Sequence, residues 1–458
     1  MSRLNFVAAA ALGVALMPGL AQADAEQLEQ DLRTQLSSQG ELKVAKVSDS
    51  FLGGTTTAEQ VRLVDEEGGT TTIGKYIVKG DYEDPDEVIL EGVNMVQDQA
   101  TLTMERMTFT SPGQAVLDLE DLPYTAENPL KGVSLKGLVL DQSQGAVDLD
   151  LPFGVAGGRI ELDELNASDL SEQAIGSLTL SNLSATSDDF GDIGAGTIML
   201  PSLSFSGLTG IDTDKPTVDS LELKDLDIAT DKLVMTLGHL VSEGDLADGK
   251  FSGNMEALSL NLGKMIELAP VDERTNLRML SNVLTGGSGQ LDLDAKMDGS
   301  WRAQGANGQL DSQFEMTATD ALRFGLDAGI PLTLPKGAEP AEYFASLEDW
   351  TELDTQGGDM TLTLSNLGAF ERIAPVAATL MGVSENEWLE QIRTQAKGMS
   401  TMMGPEIGAV LSGLVQMMDG KAKDMTVSLA LPPSAEAPKL AQDPLGLPAA
   451  MQMQVNVK

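Results

Sequence analysis

Apolar residues along much of this chain follow one spacing, apolar-x-apolar-x-x-apolar, usually with a fourth apolar residue two positions on. It occurs at Val88-Leu90-Val93-Met95, Leu102-Met104-Met107-Phe109, Leu117-Leu119-Leu122-Tyr124 and Val133-Leu135-Leu138-Leu140. It continues at Ile160-Leu162-Leu165, Leu178-Leu180-Leu183, Leu203-Phe205-Leu208 and Leu221-Leu223-Leu226-Ile228, and returns at Leu362-Leu364-Leu367. Alternation is the mark of a half-buried strand. The two-residue skip reverses the phase, and a residue bulged out of the ladder is the expected way to absorb it. The first four copies start at 88, 102, 117 and 133, a spacing that holds a strand, a turn and a return, as in a meandering antiparallel sheet. Wider gaps later leave room for an unmatched strand such as Val147-Leu149-Leu151. Upstream, Leu42-Val44, Val61-Leu63 and Tyr76-Val78 start shorter strands punctuated by Gly53-Gly54 and Gly68-Gly69. The drifting period argues against a solenoid of stacked coils or a leucine-rich repeat.

Helical spacing interrupts the ladder. Residues 24–38 carry Leu28, Leu32 and Leu36 on one face, which predicts a short amphipathic helix packed across the end of the sheet. In the second half, Asn261-Leu262-Gly263 through Ala269-Pro270-Val271 is repeated 105 residues later as Asn366-Leu367-Gly368 through Ala374-Pro375-Val376. Each copy follows a strand-like run (ALSL, TLTL). The expected course is strand, glycine corner, helical turn, then a proline opening a new helix, where its missing N–H costs little. The first such helix runs from about Asp272, with Leu277, Leu280 and Leu284 on one face, to Gly286-Gly287. In the second, Ser384-x-x-Glu387 is a capping box ahead of Trp388, Ile392, Ala396, Met399 and Met403. A last apolar helix, Ile407 to Met418, precedes Gly420. The fold class is therefore mainly β (α+β), a long, twisted, mostly antiparallel sheet with a short N-terminal helix and two helical excursions. The expected division is a signal peptide at 1–23, the helix at 24–40, a β-ladder at 41–245, and strand–helix–strand repeats at 246–355 and 356–458.

The first 23 residues read as a secretory signal. Arg3 is followed by an apolar run to Met17, Pro18-Gly19 break it, and Ala21-Gln22-Ala23 offers a cleavage site. No later stretch reads as a membrane-spanning helix, so no integral membrane segment is expected after cleavage. The expected location is the periplasm of a Gram-negative type envelope, with the cell surface or the medium as alternatives. With no cysteine, disulfides are excluded and stability must come from burial. A net charge of −41 excludes nucleic acid, whose binding needs Lys and Arg on the phosphates. It equally disfavours docking on an anionic membrane through a basic patch. Aromatic residues make up 4% of the chain, too few for the stacked rings of a carbohydrate site.

Catalytic chemistry has little to build on. The one histidine, His239, sits between leucines with no second His or Cys to complete a zinc site. No nucleophile elbow, P-loop or dinucleotide fingerprint is present. Asp81 to Glu87, Asp188 to Asp192 and Asp292-x-Asp294-x-x-x-Asp298 are acidic enough to test for calcium, and read as solvated segments. The expectation is no enzyme, no cofactor, no metal and no catalytic residue.

The positive hint is methionine. Met381, Met399, Met402, Met403, Met417 and Met418 concentrate adaptable apolar side chains in one region, as surfaces for varied apolar partners do. The alternative is that they fill gaps between helices and sheet. On the first reading an apolar ligand contacts Met265, Leu268, Phe370, Ile373, Met381, Trp388, Met399, Met403 and Met417.

The Leu-x-Leu-x-x-Leu-x-Leu strands, as in SLELKDLDI and GVSLKGLVL, resemble those of AsmA-type envelope proteins and related periplasmic proteins. The resemblance covers about residues 85–370 and implies a curved sheet with an apolar concave face able to hold lipid chains. Those relatives keep an N-terminal membrane anchor, which this sequence is expected to cleave. The reading is a non-enzymatic exported envelope protein binding lipid or another apolar chain. The alternative is a structural scaffold contacting other envelope proteins, with no small-molecule ligand.

Overall fold

The computed structural model describes residues 24–36, 40–50, 54–65, 68–97, 100–117, 122–142, 156–213, 216–245, 249–304, 307–335, 354–434 and 446–458. The signal segment expected at 1–23 and the strand expected at Val147-Leu149-Leu151 lie outside them. The fold is mainly β, and the chain divides into two compact units at Asp231/Lys232.

The first unit opens with α1 (Asp24–Leu36), followed by β1 (Gly40–Asp49), β2 (Thr55–Asp65), β3 (Thr70–Gly80), β4 (Pro85–Gln97) and β5 (Ala100–Thr110). Then come β6 (Leu130–Asp141), β7 (Ala156–Leu170), β8 (Ala174–Asp189), β9 (Gly196–Thr209) and β10 (Ser220–Thr230). Each strand pairs antiparallel with the next. The meander is thus as the spacing predicts, with one correction. The segment around Leu117-Leu119-Leu122-Tyr124 forms no strand among its described residues; it crosses between β5 and β6, and Leu117 donates its N–H to the Tyr76 hydroxyl at 2.9 Å.

The two-residue skip is resolved differently from a bulge. Glu91 pairs with Arg106 and Val93 with Met104, in one unbroken register. The same holds for Lys75/Glu91 and Ile73/Val93, and for Glu164/Ser181 and Leu162/Leu183. Where the phase reverses, Gln60, Gly92, Gly137, Asn182 and Asp225 adopt left-handed backbone, with φ of 54°, 63°, 62°, 53° and 56°. They fall on β2, β4, β6, β8 and β10, every second strand. One left-handed residue turns the side chains over without lengthening the strand. Both strands of each pair reverse phase at the same row, so no residue needs to be extruded. Four of the five residue types fit, since glycine has no steric penalty there and Asn and Asp tolerate it best among the rest, and Gln60 is the exception.

The consequence is a crease crossing the sheet with apolar rows on both sides. One row runs Val47, Ala58, Tyr76, Leu90, Met107, Leu135, Leu165, Leu180, Leu203, Leu223. Across the crease runs Leu42, Leu63, Thr71, Met95, Leu102, Leu140, Ile160, Ala185, Ile198, Ile228. Residues from both sides pack with Leu28 and Leu32 of α1 in a single core.

The second unit contains β11 (Val234–Asp245), β12 (Lys250–Asn261), α2 (Leu262–Met265), α3 (Arg274–Thr285), β13 (Gln290–Gln304), β14 (Asn307–Ala318), β15 (Leu322–Thr333) and β16 (Gln356–Asn366). It ends with α4 (Ala369–Met381), α5 (Glu385–Met403), α6 (Pro405–Met418), β17 (Asp424–Pro433), α7 (Leu447–Ala450) and β18 (Gln454–Val457). Consecutive strands again pair antiparallel. From β13 onward apolar positions alternate without a skip, as in Leu322-Phe324-Leu326-Ala328 opposite Asn366-Leu364-Leu362-Met360. The last ladder copy is therefore corrected: β16 ends at Asn366, and Leu367 belongs to the corner beyond it. A true one-residue bulge does occur once here, between Met255 and Leu258 opposite β13, where Ala257 has φ 55°.

Both helical excursions form where the repeated asparagine ends a strand. Asn261 caps α2 by accepting from the Lys264 N–H at 3.0 Å, and Asn366 accepts from Gly368 and Phe370 N–H at 2.9 and 3.2 Å. The prolines do not open new helices. Pro270 precedes a turn ahead of α3, and Pro375 lies inside a continuous α4. Burial of Ala369, Ala374 and Ala378 along α4 outweighs the bond that Pro375 cannot donate. Leu280 is 54% exposed while Ser281 is buried, so the inward stripe of α3 is rotated from the expected one. Arg372 joins the two excursions. Its guanidinium donates to the carbonyls of Val283, Leu284 and Asp320 at 2.6, 2.9 and 2.7 Å, satisfying the end of α3.

Candidate functional site

The amphipathic pattern of α1 leads to the site. Asp24 and Glu26 begin the helix and Arg33 ends it, a charge order that suits its dipole. Leu28 and Leu32 are 0% and 1% exposed, so the helix is docked on the sheet as its spacing predicts. Its tethers are polar. The Tyr82 hydroxyl donates to Asp31 at 2.9 Å, and the Ala25 N–H donates to Asp49 at 3.3 Å. Asp49 is held in turn by the Thr56 hydroxyl at 2.7 Å.

Beneath α1 lies an apolar cavity of about 160 Å³. Leu32 and Leu36 roof it, and Val61, Leu63, Thr71, Ile73, Leu90, Val93 and Met95 of β2 to β4 form the floor. Met104, Met107 and Phe109 of β5 continue that floor, and Val116 and Leu117 close one side. That side wall is fixed by Tyr76, whose hydroxyl donates to the Ala115 carbonyl at 2.9 Å and accepts from the Leu117 N–H at 2.9 Å. Burial pushes the pKa of Tyr76 well above the ordinary phenol range. Tyr82 is raised likewise, by burial first and the Asp31 charge second. The Tyr76 hydroxyl thus donates and accepts within the fold. Among the described residues none that lines the cavity is charged.

The crease accounts for the depth of this lining. Val93 and Met95 lie beyond it and Leu90 before it, and only the phase reversal puts all three on the face that α1 covers. The same apolar rows continue through β6 to β10, where Leu135, Leu165, Leu180, Leu203 and Leu223 are half-buried, unlike Tyr76 at 3% and Val88 at 0%.

The residues expected from the sequence to contact a ligand fall in several places. Met417 is fully buried in a core with Met425, Val427 and Leu429, against which Phe370 packs. Trp388 is buried with Ala374, Ala378 and Leu389, with Ile373 beside them. Met265 is half-buried, and Leu268, Met381, Met399 and Met403 are exposed. The structure thus brings Phe370 and Met417 together, and Ile373 and Trp388. Sequence reasoning placed Val93, Met95, Met104 and Met107 in strands without assigning them a ligand.

His239 is half-buried on β11 opposite Glu256. Among the described residues no three His, Cys, Asp or Glu side chains converge to hold a metal. The acidic segments are engaged locally: Asp81 accepts from the Glu83 N–H at 3.0 Å, Asp189 from Gly191 at 2.8 Å, and Asp294 from Ala257 at 2.8 Å. No described helix is long and apolar enough to cross a membrane. Comparison with protein-family models and with curated proteins finds no match for this chain.

Proposed function

We propose that this is a non-enzymatic, exported envelope protein that holds an apolar chain, of the kind found in lipids, between α1 and the creased sheet of its first unit. The observation that carries the reading is the cavity of about 160 Å³ with an uncharged, almost wholly aliphatic and methionine lining. Cavities of roughly 150 Å³ lined in this way stay dry and take up benzene-sized apolar guests. The volume is below the roughly 300 Å³ of a site that engulfs a drug-sized molecule. It suits the end of an alkyl chain, with the remainder lying along the apolar rows. Met95, Met104 and Met107 give the floor side chains that adapt to a guest.

The test is uptake of Nile red, an uncharged dye that brightens in apolar surroundings, by the mature chain and by a Val93→Phe variant that fills the floor. Saturable binding by the parent chain, lost in a variant with unchanged circular dichroism, is the expected result. Mass spectrometry of gently purified protein should also show a co-purifying lipid. The scaffold reading is favoured by a different observation, the closed seam between α6 and β17, where Met417 is 0% exposed. It predicts no uptake by either protein.

A further inference from the structure

Resting on that reading, we propose that the chain taken up by the α1 cavity carries a head group without negative charge, so that alcohol- or ammonium-headed chains are preferred over free fatty acids. The cavity itself cannot read a head group. Its described lining offers no charged side chain, and the Tyr76 hydroxyl is used in both directions by Ala115 and Leu117. A carboxylate drawn inside would be desolvated without a partner, at a cost of many kcal/mol. The head must stay outside, and what it meets there sets the preference.

The inferred seat of the head is a hollow lined by Glu26, Glu29, Gln30, Arg33, Thr34 and Leu42. It shares α1 with the cavity, and its Leu42 is the cross-strand partner of Leu63 in the cavity floor. Its single cation is already committed, since Arg33 donates to Glu29 through Nε and Nη2 at 3.1 and 2.8 Å. Glu26 adds a second carboxylate to this lining, on a chain whose net charge is −41. An anionic head therefore finds repulsion and no unused donor of positive charge. A neutral head meets polar groups it can hydrogen-bond, and a cationic head is attracted by the field of the whole chain.

The experiment displaces bound Nile red from the mature chain with decanol, decyltrimethylammonium and decanoate, three heads on one tail length, below their micellar concentrations. Decanol and decyltrimethylammonium should displace the dye at concentrations about tenfold lower than decanoate, a difference of about 1.4 kcal/mol. High salt should narrow the gap by screening. In a Glu29→Lys variant, which frees Arg33 and adds a second cation, decanoate should gain several-fold while decanol is unmoved. Equal displacement by all three heads, with the dye bound, overturns the head-group inference and leaves the apolar site standing. Failure of the parent chain to bind the dye overturns both.

Discussion

Each unit lays a helix on an antiparallel sheet, and the two contacts differ in one respect. In the first unit α1 rests on β1 and β2 through Leu28 and Leu32 and leaves an apolar cavity beside them. In the second, α6 approaches β17 and β18 through Gly413, where a Cβ would stand 2.8 Å from the Met425 Sδ and 2.9 Å from Val457 Cγ2. Large residues at i, i+4 and i+8 hold α1 off the sheet, while a glycine lets α6 settle onto it. The region rich in methionine is thus well filled at its base, and the space lies under leucines. Methionine count is a poor guide to where a cavity forms, because the same flexibility that suits methionine to a guest also lets it fill the gap.

The strongest test of this contrast removes equivalent fully buried side chains from each seam. Leu28→Ala and Met417→Ala should each cost about 3 kcal/mol. Only Leu28→Ala should alter dye uptake. Trp301 and Trp388, the tryptophans among the described residues, belong to the second unit, so tryptophan fluorescence in urea reports Met417→Ala, whereas hydrogen exchange across β2 to β4 is needed for Leu28→Ala. If both variants altered dye uptake alike, the cavity would not be the binding site.

Adding volume should separate the seams next. Gly413→Val should destabilise by about 2 kcal/mol through overpacking, after allowing for its better helix propensity. Val93→Phe, pointing into existing space, should stay within about 1 kcal/mol of the parent chain. Equal costs in urea melts would mean that the cavity collapses easily and that the comparison fails.

A third pair contrasts the creased strands with the regular ones. Gly92→Ala forces a Cβ into left-handed backbone at φ 63° and should cost about 1 kcal/mol. Gly325→Ala, on β15, meets nothing closer than 3.7 Å and should stabilise by about 0.5 kcal/mol through the unfolded state. Opposite signs in the urea midpoints are the expected outcome.

The smallest effect concerns the start of α5. Glu387 accepts from the Ser384 N–H at 2.9 Å and hydroxyl at 2.8 Å, which holds its carboxyl below the usual glutamate range. A depressed pKa contributes stability above the unfolded-state value and loses it as the pH falls through the folded one. The difference in urea midpoint between the parent chain and Glu387→Gln should therefore be positive near neutrality and shrink with acidification. A gap that widens in acid would contradict the assigned bonds.

The sequence by itself determined the class of fold and most of its elements. Phase alternation located the strands, the Leu28/Leu32/Leu36 stripe located α1, and Ser384 with Glu387 marked the start of α5, because each signal is written within a few residues. It also marked where the strands reverse phase. Whether an extra residue or a left-handed one absorbs the reversal was decided by the neighbouring strand. Where both partners skip together, the register survives and a crease forms; β12 skips against a regular β13, and there a residue is extruded. Prolines misled for a related reason, since the buried alanines of α4 hold the helix through Pro375. The cavity was not legible at all. It depends on how far Leu28 and Leu32 hold a helix from a floor assembled from four strands, and separations between segments so distant in sequence are fixed only by packing.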